Sequence, residues 1–273
     1  MGIIIHELQD LRYLEWSKIR HSSGTAGSFL KAEETIDGRK RYYKLSDYDS
    51  FKGIVGHECI NEIVVDRLLM KLGIEHLEYT LVHARIVIDG KEYETYVCRS
   101  DDFKLKGESK IALDTFYMLE RQEGEAPLEF CYRMGWKKYC EDMLLIDYLV
   151  LNRDRHGANI EILKNRQKRS IRPAPLFDHG LSLVFCCHND SELEAYDTTE
   201  DKRVQCFIGG NSAKANLLFI PDENRRELPA FDAKLKELLF SDLIGIMSQL
   251  WIDKVWNMLV WRADEYKDLR TEE

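Results

Sequence analysis

The chain is 273 residues long, carries 39 basic and 48 acidic side chains for a net charge of −9, and is 44% hydrophobic. That length holds one large or two modest domains with a proper core. The acidic balance argues against nucleic-acid binding through a globally basic surface, and no apolar run approaches membrane-spanning length.

In chain order, the first distinctive segment is Ser22-Ser23-Gly24-Thr25-Ala26-Gly27-Ser28, with apolar Phe29 and Leu30 behind it. Small residues and glycines let backbone N–H groups approach phosphate oxygens, although the same composition also makes an ordinary hairpin turn. Arg41-Tyr42-Tyr43-Lys44-Leu45 alternates as a strand. Its Lys44 either faces solvent or points inward to the α/β-phosphates of a nucleotide. Residues 57–72 have helical spacing, with Ile60, Val64, Leu68 and Leu72 on one stripe and Gly73 as the stop. Glu58 and Glu62 share a face of that helix; one of them reaches Lys44, or both belong to a solvated acidic surface.

Residues 81–88 and 92–98 read as strands joined by an Asp89-Gly90 hairpin turn. The polar Arg99-Ser100-Asp101-Asp102 that follows reads as a hinge, with the backbone from Val97 to Arg99 placed to hydrogen-bond adenine. Residues 103–273 are expected to be mostly helical, without internal repeats or low-complexity tracts. The nearly all-apolar run 141–151 predicts a buried helix, from which the polar Asn152-Arg153-Asp154-Arg155-His156 cluster emerges directly. Residues 160–163 and 171–174 then flank a basic turn as two short strands would. Its Lys164, Arg166, Lys168, Arg169 and Arg172 make either a solvated hairpin or a receiver for an acidic substrate or phosphate. The acidic stretch 187–207 is expected either to be mobile or to face substrate, Gly209-Gly210-Asn211 marks a turn or a helix start, and Trp251, Trp256 and Trp261 read as core packing.

The chemistry concentrates in three residues. Asp154 and Asn159 are five apart, and Asp178 stands in Asp178-His179-Gly180. Phosphoryl transfer from ATP needs a carboxylate to orient the nucleophilic hydroxyl, and an amide plus a carboxylate to hold Mg²⁺ against the phosphates. Protein kinases use the same five-residue spacing and follow it with Asp-Phe-Gly. His156, two residues after Asp154, stands where it could touch the transferring phosphate.

Four segments resemble the HipA-like serine/threonine kinases in their compact form. They are Ser-Ser-Gly-Thr-Ala-Gly-Ser-Phe-Leu-Lys at 22–31, the Tyr-Lys strand ending at Lys44, Asn61-Glu62 in a helix ending Leu72-Gly73-Ile74, and Asn152-x-Asp154-x-His156-x-x-Asn159. The Asp-Arg-His-x-x-Asn form also occurs in phosphoinositide-type kinases. The resemblance implies an α+β, bilobal protein-kinase-like fold. Residues 1–98 would form a small lobe with a β-sheet and one helix, and residues 99–273 a larger, mainly helical lobe. It implies Asp154 as catalytic base with His156 beside it, and Asn159 and Asp178 as Mg²⁺ ligands. Lys44, partnered by Glu62 rather than Glu58, would contact the ATP phosphates, with Ser23, Gly24, Thr25, Ala26, Gly27 and Ser28 forming the loop over them.

The implied activity is ATP-dependent transfer of the γ-phosphoryl group to protein Ser or Thr hydroxyls, with autophosphorylation. A kinase of small molecules or lipids on the same fold is the alternative, and a non-catalytic kinase-like module is disfavoured by the joint presence of Lys44, Asp154, Asn159 and Asp178. Two departures separate the chain from the long HipA toxins: it is too short for their amino-terminal subdomain, and Ala158 stands where they carry a lysine. Toxin behaviour and an antitoxin-like regulator therefore follow less directly than ATP chemistry does. Seven cysteines without Cys-x-x-Cys or a metal-like Cys/His spacing read as reduced thiols. The start is too soon polar for a signal peptide and lacks the Ser or Thr of a myristoylation motif, so a cytoplasmic, membrane-free protein is expected, with translocation into a host left open.

Overall fold

The chain opens with β1 (Ile3–Asp10), β2 (Lys31–Ile36) and β3 (Arg39–Lys44), followed by a short ribbon of β4 (Tyr48–Asp49) and β5 (Gly53–Ile54). Helix α1 (Glu58–Leu72) and the long hairpin of β6 (Thr80–Ile88) and β7 (Lys91–Asp101) complete this half. The computed structural model describes residues 2–17 and 29–269. Its main sheet has the order β1-β6-β7-β3-β2, with β1 parallel to β6 and the other neighbours antiparallel. The pairing of Ile88 with Lys91 leaves Asp89 and Gly90 as a two-residue turn, both at positive φ (49° and 78°), which matches the twist of the strands.

Strand β7 runs three residues beyond the segment read as a strand from the sequence. Arg99, Ser100 and Asp101, expected to be hinge, pair with Tyr43, Tyr42 and Arg41 of β3. The ladder continues because Arg41 reaches Asp101 across it at 3.2 Å, an exposed ion pair at the sheet's end.

The sheet's two faces serve different cores. Val82, Ala84, Ile86, Ile88 and Val97 alternate onto one face and pack with Leu14, Trp16, Tyr43 and Leu45. Leu81 and Cys98 point to the other and join the larger core, which α1 enters through Ile60, Val64 and Leu68. Each such fully buried aliphatic side chain contributes roughly 1.5–3 kcal/mol. Gly73 ends α1 in the left-handed region (φ 64°), where its N–H and that of Ile74 bond the carbonyls of Met70 and Leu69.

The remainder comprises β8 (Glu108–Ala112), α2 (Leu113–Glu120), α3 (Pro127–Arg133), α4 (Lys137–Leu149) and the two-residue β9 (Asp154–Arg155). A 3₁₀ turn (Gly157–Asn159) leads to the hairpin of β10 (Glu161–Asn165) and β11 (Ser170–Pro173). Then come α5 (Asp190–Ala195), β12 (Gln205–Cys206), α6 (Ala213–Asn216), α7 (Ala233–Phe240) and the longest helix, α8 (Gln249–Asp268). It is less helical than its sequence implies. β8 joins the hairpin in a sheet of order β11-β10-β8, fastened by Arg172 on Glu108 through two 3.0 Å hydrogen bonds. Of the three tryptophans read as core, Trp251 is fully buried, while Trp256 and Trp261 are half-buried. No helix among the described residues is long and apolar enough to cross a membrane.

Candidate active site

Lys44, the last residue of β3, turns inward. Its Nζ lies 2.9 Å from Glu62 Oε1 on α1, and it also donates to Asp178 Oδ1. A strand lysine and a helix glutamate are thus both withdrawn from solvent, their side chains 11% and 0% exposed. That geometry removes the solvated-face reading of Glu62. Glu58, one turn earlier, does not touch Lys44; its Oε2 accepts the Asp47 N–H at 3.0 Å. The Phe29 ring lies 4.8 Å from the Lys44 ammonium.

Three neighbours hold the Asp178-His179-Gly180 turn. Asp178 has φ 60°, a left-handed conformation that costs about 1–3 kcal/mol in a non-glycine residue unless its surroundings enforce it. The Asp178 N–H donates to Tyr79 Oη at 3.3 Å, and the His179 N–H to Glu62 Oε2 at 2.9 Å. Asn61 Nδ2 donates to the carbonyls of Gly180 and Ser182 at 2.8 and 3.0 Å. Gly180 is closely packed: a Cβ there would sit 3.1 Å from Glu58 Cβ and 3.2 Å from Lys44 Nζ, so these neighbours would have to give by a few tenths of an ångström.

The loop after α4 is built on Asp147. Arg155 Nε and Nη2 grip its two oxygens at 2.8 and 2.9 Å, and Asn152 Nδ2 donates to Asp147 Oδ1 at 2.8 Å. Arg155 also donates to the carbonyls of Phe177 (2.8 Å) and Asn159 (3.2 Å) and lies 2.9 Å from His179 Nε2. One fully buried guanidinium therefore ties the loop of Asp154 to the turn of Asp178. Asn159 Nδ2 donates to the Asp154 carbonyl at 2.8 Å. His156 Nδ1 accepts the Ala158 N–H at 3.2 Å, which places the ring's proton on Nε2, 3.6 Å from Asp154 Oδ2.

Electrostatics follow from burial and neighbours. Burial works against charge on Lys44, but Asp178 and Glu62 outweigh it and hold the ammonium well above its ordinary range. Burial would lift Asp178 too, yet Lys44, then Lys31, keep its carboxyl far below the usual range. Glu62 is pushed up by burial, against the pull of Lys44. Asp154 is raised by burial, with His156 opposing and the Asp178 charge adding to it. His179 is forced well below 6.5 by burial and by Arg155, so it stays neutral as an acceptor for that arginine.

Each sequence-derived candidate can now be placed. Lys44, Glu62 and Asp178 meet at one point, and Asp154, His156 and Asn159 form the adjoining loop. Both Val97 and Arg99 lie within β7: Val97 pairs with Val82 of β6, and Arg99 stands between Thr80 of β6 and Tyr43 of β3. The edge of β7 free of β6 begins at Ser100. Ser23, Gly24, Thr25, Ala26, Gly27 and Ser28 lie outside the described residues. In the basic hairpin, Arg172 is taken by Glu108, and Lys164 sits 4.7 Å from the Phe116 ring.

Positioning groups that sequence reasoning left without a role are Asn61, Tyr79, Asp147 and Asn152. Asp147 carried a signal in its surroundings, a carboxylate inside an apolar helical run, where a charge demands a partner.

The residues fit a magnesium ion on one test. Asn159 Oδ1 and the second oxygen of Asp178 have no protein partner among the described residues. Both are hard oxygen donors, and Mg²⁺ is held by one or two carboxylates together with substrate phosphates.

Neither a protein-family model nor a curated protein sequence matches the chain. Solved structures do. The fold is similar to that of the Helicobacter pylori proinflammatory kinase CtkA, with a TM-score of 0.59 at 16% identity over 99% of this chain and 98% of that one. It is also similar to HipA from Shewanella oneidensis MR-1, solved with HipB and its operator DNA: TM-score 0.50, 16% identity, 94% of this chain and 68% of that one. At such identity the likeness establishes a shared mixed α and β fold, and the argument about activity rests on the residues.

Proposed function

We propose that the chain is an ATP-dependent, HipA-like kinase that transfers the γ-phosphoryl group to Ser or Thr hydroxyls of protein, itself included. The observation that carries this is the convergence of Lys44, Glu62 and Asp178, from three distant segments, beside the loop of Asp154 and Asn159. In this reading the sheet with α1 is a small lobe, the remainder a large one, and ATP lies between them, its adenine along the free backbone edge past Arg99.

Lys44, aimed by Glu62, binds the phosphate oxygens in competition with Asp178. Asp154 orients the acceptor hydroxyl and takes its proton, which general-base chemistry favours when burial brings the carboxylate's pKa upward. His156 donates from Nε2 toward the same space. Asn159 and Asp178 would hold Mg²⁺, which supplies positive charge against the phosphates. The net charge of −9 argues against direct nucleic-acid binding, and likeness to HipA makes an antitoxin-like protein the regulator to seek. A cytoplasmic location goes with this reading.

The test is incubation of the purified chain with labelled ATP and Mg²⁺, followed by mass spectrometry of the chain. Phosphate on a Ser or Thr is expected. Absence of ATP turnover, with or without added acceptor protein, would overturn the reading.

A further inference from the structure

The sheet of β8, β10 and β11, with the segment that enters β8, is charged opposite to the chain as a whole. Over residues 104–110 and 161–172 eight side chains are basic and two acidic, on a chain of net charge −9. Both acids are already taken, Glu108 by Arg172 at 3.0 Å and Glu161 by Lys110 at 2.8 Å. Lys106, Arg166, Lys168 and Arg169 are exposed, and their side chains have no hydrogen-bond or ion-pair partner among the described residues. Residues 18–28 contain no Asp or Glu that could supply a carboxylate.

The backbone beneath these cations is fixed. Asn165, 4% exposed, donates from Nδ2 to the Lys106 carbonyl at 3.4 Å and accepts the Lys168 N–H on Oδ1 at 3.0 Å. One buried amide thus joins the segment entering β8 to the β10–β11 turn. Pairing of Asn165 with Ser170 leaves Arg166, Gln167, Lys168 and Arg169 as that turn, closed by Arg169 at φ 50°. Three like charges on one turn repel, and none of the three side chains returns a bond to the fold. Beside the turn, a groove of about 760 Å³ runs between the β2–β3 turn and the segment entering β8. Arg39, Lys104 and Lys106 line it, and its carboxylates are matched, Asp101 by Arg41 at 3.2 Å and Asp102 by Lys104 at 3.4 Å.

Charge complementarity calls for an anion, and the surroundings set its kind. Excess negative charge over the rest of the chain repels a long phosphate backbone wherever it leaves the patch. The large apolar side chains exposed here, Leu105 in the groove and Ile171 on β11, are aliphatic and offer no face on which bases stack. A short run of Asp and Glu interspersed with aliphatic residues matches both the cations and the apolar contacts.

We propose that the β10–β11 turn and the groove beside Lys106 form a docking surface for an acidic segment of a partner protein. The surface is independent of the phosphoryl-transfer reading. Its place in the chain nevertheless joins it to the candidate site, since β10 begins two residues after Asn159 and β11 ends five before Asp178.

Fluorescence anisotropy at low ionic strength tests it, with a labelled peptide of repeated Glu-Glu-Leu as the probe and an oligothymidylate of equal charge as the comparison. The peptide is expected to bind one-to-one and more tightly than the oligothymidylate. Changing Lys106, Arg166, Lys168 and Arg169 together to Gln should weaken it about tenfold, each exposed charge pair contributing about a factor of two. Lys52, Lys71, Lys91 and Lys234 changed together to Gln, the same charge change at exposed positions elsewhere, should weaken it far less. If the first quadruple variant fails to fold, Arg166→Gln with Lys168→Gln against Lys52→Gln with Lys234→Gln decides in its place. Equal losses in variant and control would make the attraction general and overturn the surface, as would a peptide that does not bind. Tighter binding of the oligothymidylate would overturn the assignment to a protein segment.

Discussion

Helices α1 and α8 are both deeply buried, yet they bury different things. From α8, Trp251, Ile252, Val255, Met258 and Leu259 enter the core, and Arg262 is its one fully buried polar residue, donating to the Tyr148 carbonyl at 3.0 Å. From α1, Glu58, Asn61, Glu62, Asp66 and Arg67 are buried together with the aliphatic residues. Each has a specific address. Glu62 meets Lys44 and the His179 N–H, and Asn61 meets the carbonyls of Gly180 and Ser182. Asp66 accepts the Tyr79 N–H at 2.9 Å, and Arg67 bonds Asp242 at 2.7 Å. Burying a charge without a partner costs several kcal/mol, so a helix that buries four ionisable groups is determined by what those groups reach. On this comparison α8 supplies packing and α1 supplies position.

The largest expected effect separates the two roles. Trp251→Ala should cost about 3–5 kcal/mol of stability, as truncation of a buried aromatic does, without changing the specific activity of the folded fraction. Denaturant titration paired with an activity assay checks this, and an activity loss out of proportion to unfolding would place α8 in the site. Next, Lys44→Met should reduce phosphoryl transfer about 10²–10³-fold, the usual consequence of removing one preorganised donor to developing negative charge. Its melting temperature should stay close to the parent's if Lys44 serves the site more than the fold.

His57 joins the two helices, standing at the N-terminus of α1 with its ring edge-on to Trp251 at 5.6 Å. Burial, with His188 adding to it, lowers its pKa to about 4. The folded protein keeps this imidazole neutral while the unfolded chain protonates it near 6.5. Stability from this group is therefore complete above pH 6.5 and declines as pH falls toward 4, by on the order of 3 kcal/mol. Thermal unfolding across that range should show the decline, and His57→Phe should flatten it. An unchanged slope in the variant would assign the acid sensitivity elsewhere. Smallest of all is the contrast within α1. Glu62→Gln should cost transfer about tenfold by loosening Lys44, and Glu58→Gln little, since the Glu58 carboxylate is turned to the Asp47 N–H and not hydrogen-bonded to Lys44. Losses of Glu62→Gln and Lys44→Met should not add in the double variant.

Much of α1 was legible because its apolar spacing and Gly73 are local signals. The β6–β7 hairpin was legible for the same reason, through Asp89-Gly90. The residues Asp154, Asn159 and Asp178 were readable as a spacing, but what holds them was not. Asp147 meets Arg155 and Asn152 only once α4 and the loop are folded, and Asn61 reaches a turn more than a hundred residues away. Strand β8 is five residues, three of them polar, and becomes a strand only by pairing with β10. The end of β7 moved past the expected hinge because Arg41 and Asp101, sixty residues apart, meet across the ladder. Pairings of that range leave no periodic trace in a sequence.

The most direct measurement concerns Asp154, the group proposed to take the acceptor's proton. In Asp154→Asn the amide keeps the shape and loses the base. Isothermal titration with Mg·ATP and a transfer assay on the same preparation should show unchanged nucleotide affinity and transfer reduced about 10²–10⁴-fold. Transfer at the parent rate with intact binding would contradict the assignment of Asp154 as the base, and with it the phosphoryl-transfer site built around Lys44, Glu62 and Asp178.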